Sequence, residues 1–310
     1  MQLPIQSQST IYAEPWEAAA GPGDLRAVAV AADRAGFDYI ASCDHVGVPR
    51  RLAPAMSTIW YDPVATLAHL AAVTERVRLL SHVAVVGLRH PLATAKQYAT
   101  LDHLSGGRLI LGVGAGHVRE EFEALGHDFG QRGAVLDEAI DALRAALGPE
   151  EFPEHHGKFY DFEGLGQLPR PAQPRVPVWV GGSSLAAVRR AALKGDGWLS
   201  QGDPRDRLPE QIATLRRLRA EAARGGAADG CSEEPIVVGA ITEPLYVGRP
   251  GWEVGRRTVT GAPEELAESL RAYRAMGVHQ IQVRFRCRSR DELVDQITAF
   301  GAEVAPHLDH

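Results

Sequence analysis

The sequence predicts an α/β protein in which eight strand–helix units close into a (β/α)8 barrel. Short apolar runs alternate with helical patterns along the chain, and each run ends in glycine or polar residues. Such alternation indicates a parallel sheet covered by helices, and eight units are the number that closes a TIM barrel. A doubly wound open sheet is the alternative, but it usually has fewer strands and a switch point that this chain does not show.

The strands are predicted from the apolar runs and the helices from the patterns between them. Gly36 stops the first helix, and Pro63 suits the first turn of the second helix, with Asp62 as its N-cap. The predicted strands are Leu3–Gln6, Phe37–Ala41, Val77–Val86, Arg108–Val113, Val176–Val180, Gly197–Ser200, Ile236–Ile241 and Gln280–Phe285. The predicted helices are Asp24–Ala35, Pro63–Glu75, Pro91–Leu104, Glu120–Leu125 with Ala134–Leu147, a helix ending at Lys194, Arg207–Ala223, Pro263–Met276 and Asp291–Ala305.

No linker or change of composition divides the chain, so we expect residues 1–310 to form one domain. Insertions follow strands 2, 4 and 7, and the first two are Gly47–Tyr61 and Gly148–Arg175. Loops of this length in a compact domain are usually functional. Ala222–Ser232 has the composition of a flexible loop.

Composition excludes several classes of function. The net charge of −6 and the lack of a basic run argue against nucleic acid, and no apolar stretch is long enough to span a membrane. Three scattered cysteines give neither a disulfide framework nor a zinc site, and the N-terminus lacks a signal-peptide pattern. We therefore expect a cytoplasmic protein that acts on a small molecule.

A glycine-rich segment follows the predicted fourth strand. Gly112, Gly114 and Gly116 alternate with larger residues directly after the apolar run Leu109-Ile110-Leu111. Bare backbone at alternate positions lets a flat ligand lie against the main chain. An ordinary strand-to-helix turn gives the same pattern, and the spacing is not the GxGxxG of a dinucleotide site.

Polar residues stand at the ends of other strands, where the active site of a barrel lies. Asp44-His45 closes strand 2, and the pair is either functional or a loop cap. His82 lies within the third apolar run and is either a site residue or a satisfied core histidine. Gly181-Gly182-Ser183-Ser184 precedes a helix, where backbone N–H groups and the helix dipole favour an anion such as phosphate. The alternative is a turn capped by a serine.

Other arrangements find no support in the sequence. There is no HExxH, no group of aspartates and no GxSxG, so neither a metal site nor a nucleophilic serine is predicted. His155-His156 lies in a long loop and is predicted to be at the surface.

Taken together, several segments resemble the bacterial-luciferase-like monooxygenase superfamily, and within it the deazaflavin-dependent oxidoreductases. The segments are GFDYIASCDH, RHPLATAKQYATLDHLSGGRLILGVGAGHVREEFEALG, KFYDFEG before PVWVGG, and GDGWL. They span Gly36 to about Leu199 in the family's order, and the tail from LYVG to RAYRAMGV is similar too.

The resemblance implies a luciferase-like TIM barrel that holds coenzyme F420, or alternatively FMN, at the carboxyl ends of its strands, and it implies a homodimer. It also implies a non-prolyl cis peptide at Ser81-His82 or His82-Val83. His45, His82 and His117 become the candidates for catalysis. The implied cofactor-binding residues are Asp44, Ser81, His82, Val83, Gly112, Val113, Gly114, Ala115, Gly116, Gly181, Gly182 and Ser183.

One departure from the family pattern limits what the resemblance implies about substrate. Sugar-phosphate dehydrogenases of the family carry a glutamate where this chain has His117, so oxidation of glucose 6-phosphate is not expected. The leading hypothesis is an F420-dependent oxidoreductase that transfers a hydride to or from a small organic substrate. The alternatives are an FMN-dependent monooxygenase that uses oxygen and a non-catalytic flavin-binding protein.

Overall fold

A curled parallel sheet of seven strands forms the centre of the molecule, with helices packed on its outer face. The computed structural model describes residues 1–7, 9, 13–201, 204–224 and 235–308. In order across the sheet, the strands are β1 (Tyr39–Ser42), β2 (Arg78–Ser81), β3 (Leu109–Val113), β6 (Val178–Gly181), β7 (Gly197–Leu199), β8 (Val237–Ile241) and β11 (Gln280–Gln282). All neighbouring strands in this sheet pair in parallel.

The helices follow the strands as the sequence predicts, with ends shifted by a few residues. Asp62 caps the helix that begins at Pro63, since its carboxylate accepts from Ala65 N–H. The helices are α1 (Pro22–Arg34), α2 (Ala53–Met56), α3 (Pro63–Ala71), α4 (Pro91–Ser105), α5 (Arg119–Ala124), α6 (Arg132–Ala146), α7 (Leu185–Lys194), α8 (Leu208–Arg224), α9 (Pro263–Ala275) and α10 (Arg290–Ala299).

Alternate strand residues face two different apolar layers. The layer inside the curl is one cluster of buried side chains, and the layer beneath the helices is a second, much larger cluster. The inner cluster contains Tyr39, Ala41, Leu80, Ile110, Trp179 and Leu199. Successive side chains of a strand point to opposite faces, as a sheet covered on both faces requires. This alternation also determines which side chains point inward at the strand ends.

The predicted first strand, Leu3–Gln6, is wrong. Pro4 has no N–H to donate, and Ile5 has a φ of 68°, so the backbone cannot continue a ladder there. The residues before Pro4 do pair with the sheet. Leu3 N–H donates to the carbonyl of Ala41 at 3.0 Å, and Gln2 N–H donates to the carbonyl of Val283 at 3.3 Å. The N-terminal segment therefore lies between the two edges of the sheet.

The predicted third strand, Val77–Val86, is too long, since the observed strand β2 has only 4 residues. Strand β2 ends at Ser81, and the peptide bond between His82 and Val83 is cis, which confirms the second of the two expected positions. Strand β11 is also shorter than the predicted eighth strand, because it ends at Gln282.

Small sheets and a short helix occupy the long connections. Helix α2 lies in the segment between β1 and α3, and β4 (His155–His156) pairs with β5 (Asp161–Phe162) between α6 and β6. Between β8 and α9, β9 (Leu245–Val247) pairs with β10 (Val259–Gly261). The predicted flexible loop Ala222–Ser232 lies outside the described residues from 225 onward, as does Cys231. No helix in the described part of the chain is long and apolar enough to cross a bilayer.

After the cis bond, the side chain of Val83 packs between two neighbouring strands. A Cβ added to Gly181 on β6 would lie 2.6 Å from Val83 Cγ1, and one added to Gly114 after β3 would collide with Val83 Cγ2. Real Cβ atoms do not approach so closely, so both positions need the bare backbone of glycine because of Val83. This contact joins the ends of β2, β3 and β6.

We predict that Gly114→Ala destabilises the protein by about 1–3 kcal/mol, since the added methyl group forces Val83 out of its place. Val83→Ala in the same chain removes the collision, so the double variant should lose less stability than the sum of the single variants, by about 0.5–3 kcal/mol. Urea unfolding of the four proteins measures both quantities. Gly23→Ala is the matched control, because a Cβ there meets nothing within 4 Å. Additive losses would show that Val83 does not hold Gly114 in place.

Candidate active site

A cleft of about 720 Å³ opens at the carboxyl ends of the strands. Its wall combines residues that follow β1, β2, β3, β6 and β7, which parallel strands bring to one end of the sheet. Ten of the predicted site residues line it, namely Asp44, His45, His82, Val83, Gly114, Ala115, Gly116, His117, Gly181 and Gly182.

Four predicted cofactor-binding residues, Ser81, Gly112, Val113 and Ser183, do not line the cleft. The Ser81 hydroxyl donates to the carbonyl of Gly112 and accepts from its N–H, and an added Cβ at Gly112 would meet the Ser81 carbonyl. Val113 is fully buried. The Ser183 hydroxyl bonds to the backbone of Gln201, and the neighbouring Ser184 lines the cleft instead. Gly112 is therefore a packing glycine, not a surface for a ligand.

Asp44 stabilises the cleft wall through hydrogen bonds to Val85 and Arg89. Its side chain is 1% exposed, and its carboxylate accepts from both terminal nitrogens of Arg89 at 2.7 and 2.9 Å and from Val85 N–H at 2.9 Å. These hydrogen bonds to Asp44 raise the pKa of Arg89. The pair ties the end of β1 to the segment after the cis bond. Asp44 was predicted to contact a cofactor directly, and it lines the cleft with its carboxylate held by these protein donors.

His82 is a neutral part of the wall. It is 6% exposed, and burial lowers its pKa to about 4, with further lowering by the charges of the Met1 amino group and Arg284. Its Nε2 lies 2.9 Å from Gln201 Nε2, and its Nδ1 lies 3.3 Å from Gln282 Nε2. A neutral imidazole accepts at only one nitrogen, so one of these amides must present its oxygen. The ring is therefore poorly suited to donate a proton as imidazolium near pH 7.

His45 lies at the rim, held by three other side chains. Its Nδ1 is 2.9 Å from Glu121 Oε2, and its ring makes edge contacts with Trp60 at 4.4 Å and with His117 at 5.4 Å between centroids. Desolvation by the cleft wall and the charge of His45 lower the pKa of His117, against the opposite effect of Glu121. His45 is therefore the cleft histidine whose ring contacts a buried carboxylate.

Glu121 is the main site residue that the sequence analysis missed. It follows Val118 by three residues, on the buried face of α5, and is itself 6% exposed. Burial raises its pKa, but hydrogen bonds from His45 and from the N–H groups of Gly47 and Val46 outweigh burial and hold the pKa below its usual value. An acidic residue on the apolar face of a helix was the signal available in the sequence.

The far end of the cleft is electropositive. Arg132 begins α6, packs over the Phe129 ring at 4.0 Å and donates to the Phe129 carbonyl, and no ion pair is found for it within the described ranges. The first residues of α7 also line the cleft, where the helix dipole favours an anion. Arg190 lies nearby, but its guanidinium is paired with both carboxylate oxygens of Asp137. The cleft therefore suits an anionic group at this end.

The shape and the donors of the cleft suit a flat ligand with an anionic tail. Val83 forms a raised apolar floor, and Gly182, with a φ of 123°, adopts a backbone conformation that larger residues rarely reach. The same cleft is lined by the neutral imidazole of His82, the imidazole of His45 beside Glu121, and the cationic Arg132. Among the described residues, the group able to hold a metal ion, Glu154, His156 and Glu163, is exposed and does not line the cleft.

Proteins of known sequence are similar to this chain over part of their length. An uncharacterized protein of Mycobacterium tuberculosis is 41% identical over 157 residues, which are 51% of this chain and 54% of that protein. The chain thus spans about half the length of the curated relatives that match it first. The FMNH2-dependent dimethylsulfone monooxygenase of Pseudomonas putida is 30% identical over 225 residues, which are 70% of this chain and 58% of that enzyme.

Solved structures share the fold over nearly the whole chain. The monooxygenase RslO1 of Streptomyces bottropensis has a TM-score of 0.79 at 22% identity, covering 99% of this chain and 98% of that one. An F420-dependent secondary alcohol dehydrogenase, solved with an F420–acetone adduct, has a TM-score of 0.75 at 16% identity, covering 93% and 96%. Residues 1–242 match the model of the luciferase-like monooxygenase family, and the protein belongs to that family.

Proposed function

We propose that the protein is an oxidoreductase that uses the deazaflavin coenzyme F420 to transfer a hydride to or from a small organic substrate. One observation carries the proposal most directly. The imidazole of His45, backed by the buried carboxylate of Glu121, stands on the wall of a cleft whose floor suits a flat ring. Hydride transfer to a carbonyl, C=N or activated C=C leaves a negative charge on the neighbouring atom, and a positioned acid must neutralise it.

The residues on the cleft wall fit this cofactor. Val83, with the bare backbone of Gly114 and Gly181 beside it, would support the flat ring system. Arg132 and the start of α7 would hold the phosphate and the carboxylates of the tail. Within the same family fold, an F420-dependent alcohol dehydrogenase covers 93% of this chain, which supports the choice of cofactor.

In the proposed reaction, the bound coenzyme would supply or accept the hydride, and the protein would position the reacting groups and move the proton. His45 gives a proton to the substrate atom next to the hydride acceptor, or takes one in the reverse direction. Glu121 stabilises the protonated ring. Trp60 packs against His45 at 4.4 Å between ring centroids, and His82 would contribute a neutral polar contact to the bound molecules.

An FMN-dependent monooxygenase is the second candidate, because an FMNH2-dependent enzyme is 30% identical to this chain over 225 residues. The two cofactors share a flat ring and an anionic tail, so the same cleft could hold either. The third candidate is a protein that binds a flavin without catalysis.

We also propose that the N-terminal segment completes an eight-stranded barrel in one domain, with insertions after the predicted strands 2, 4 and 7. We propose further that this domain forms a homodimer. The hydrogen bonds of Gln2 and Leu3 to opposite edges of the sheet support the closure. The closed arrangement would place the cleft at the mouth of the barrel.

The cofactor proposal predicts that the purified protein binds F420 more tightly than FMN. The longer anionic tail of F420 offers more groups to Arg132 than the single phosphate of FMN. Fluorescence-quenching titrations with both cofactors, at two salt concentrations, measure the difference and its electrostatic part. Saturable binding of FMN with no response to F420 would overturn the proposal in favour of the monooxygenase.

The proposed role of His45 predicts that His45→Gln lowers turnover by about 10²–10⁴-fold while cofactor affinity stays nearly constant. Asp44→Asn should instead reduce stability by about 1.5–3 kcal/mol and weaken cofactor binding, because it removes hydrogen bonds to the charged Arg89. An anaerobic screen of ketones, enones and quinones with reduced F420 provides the assay.

His103→Gln, on the exposed side of α4, is the control for replacing a histidine. If His45→Gln retains full turnover on the best substrate of the screen, another group supplies the proton.

A further inference from the structure

The Glu121 carboxylate divides its two oxygens between two tasks. Oε1 accepts from the backbone N–H groups of Val46 at 2.7 Å and Gly47 at 3.1 Å, and Oε2 lies 2.9 Å from His45 Nδ1. The side chain is 4% exposed, so these protein groups are its main surroundings. Residues more than 70 positions apart in sequence are joined by this one side chain.

We infer that Glu121 is a positioning residue that fixes the tautomer of His45, with the proton on Nδ1 and with Nε2 left as the nitrogen that exchanges protons in the cleft. A carboxylate can only accept, so the 2.9 Å contact requires a proton on Nδ1. The role of Nε2 in turnover rests on the proposed function, whereas the tautomer itself does not.

The contacts around the ring keep it in this orientation. Trp60 meets His45 at 4.4 Å with an interplanar angle of 71°, and its own Nε1–H is held by the carbonyls of Met56 and Ser57 at 3.2 and 3.3 Å. His117 meets the ring at 5.4 Å and 86°. A ring flip would break the bond to Glu121 and leave a buried carboxylate oxygen without its partner, which is costly.

The same geometry predicts what a neutral amide would do in place of the carboxylate. Glutamine has one accepting oxygen, and the two backbone N–H groups at Oε1 require it. The amide nitrogen then faces His45 Nδ1 and donates to it, so that Nδ1 must accept. In Glu121→Gln the neutral ring therefore carries its proton on Nε2, which is the reverse of the wild-type arrangement.

Long-range ¹H–¹⁵N correlation spectra of protein with ¹⁵N-labelled histidine, recorded without cofactor, test the inference. The pattern of ring couplings distinguishes the two neutral tautomers, and His45→Gln assigns the signal. We expect the Nδ1–H form in the wild type and the Nε2–H form in Glu121→Gln. Glu120→Gln is the matched control, because the adjacent Glu120 lies in the same helical turn and pairs with Arg51 at the surface. It should leave the wild-type pattern unchanged.

An Nε2–H signal for His45 in the wild type overturns the inference, and this spectrum does not depend on whether any variant folds. An unchanged Nδ1–H signal in folded Glu121→Gln overturns it as well. In the F420-loaded enzyme, Glu121→Gln should lower kcat by about 10²–10⁴-fold with little change in KM, as expected when a general acid is held in the wrong tautomer.

The two readouts separate the inference from the proposed function. Inverted tautomers without any F420-dependent turnover in the wild type would leave the positioning role in place and reject the proposed reaction. Turnover that falls equally in Glu121→Gln and Glu120→Gln, with unchanged tautomers, would reject the positioning role and keep the reaction.

Discussion

The contact of Val83 with the backbone of Gly114 and Gly181 is the constraint from which the site follows. It joins the ends of three strands. On either side of Val83 along the chain, His82 lines the cleft and Val85 N–H donates to the carboxylate of Asp44. Because Asp44 also binds Arg89, the first two strand ends become one rigid unit.

Much of the fold could be predicted from the sequence, because apolar runs and helix caps are local signals. Seven of the eight strands form near their predicted positions, and Asp62 caps its helix as expected. The errors have a common cause. The turn at Ile5 and the end of β2 at Ser81 lie within runs of residues whose composition alone favours a strand. Backbone conformation overrode that preference, and a pattern of apolar residues carries no information about it.

The candidate site shows the same limit. The strand-end histidines and most of the glycines line the cleft, and they could be proposed because chemistry and position coincide in the sequence. Glu121 and Arg132 were missed because each acts across a distance in sequence: one reaches His45 from α5, and the other faces the start of α7 from α6. Gly112 does not line the cleft, and its lack of a side chain serves the packing against Ser81. Only the folded structure distinguishes a glycine that contacts a ligand from a glycine that packs against a neighbouring strand.

The N-terminal segment has a consequence for how the chain is made. Gln2 donates to Val283, so this contact forms only after the chain between the two residues has been synthesised. Until then the most recently synthesised strand leaves an open sheet edge, because its neighbour has not yet been made. Exposed edges of this kind invite pairing with other chains. Closure by such distant residues also makes folding slow relative to helical proteins, because the chain loses conformational entropy before the stabilising contacts form. The nascent chain is therefore most exposed to pairing with other chains before Val283 has been synthesised.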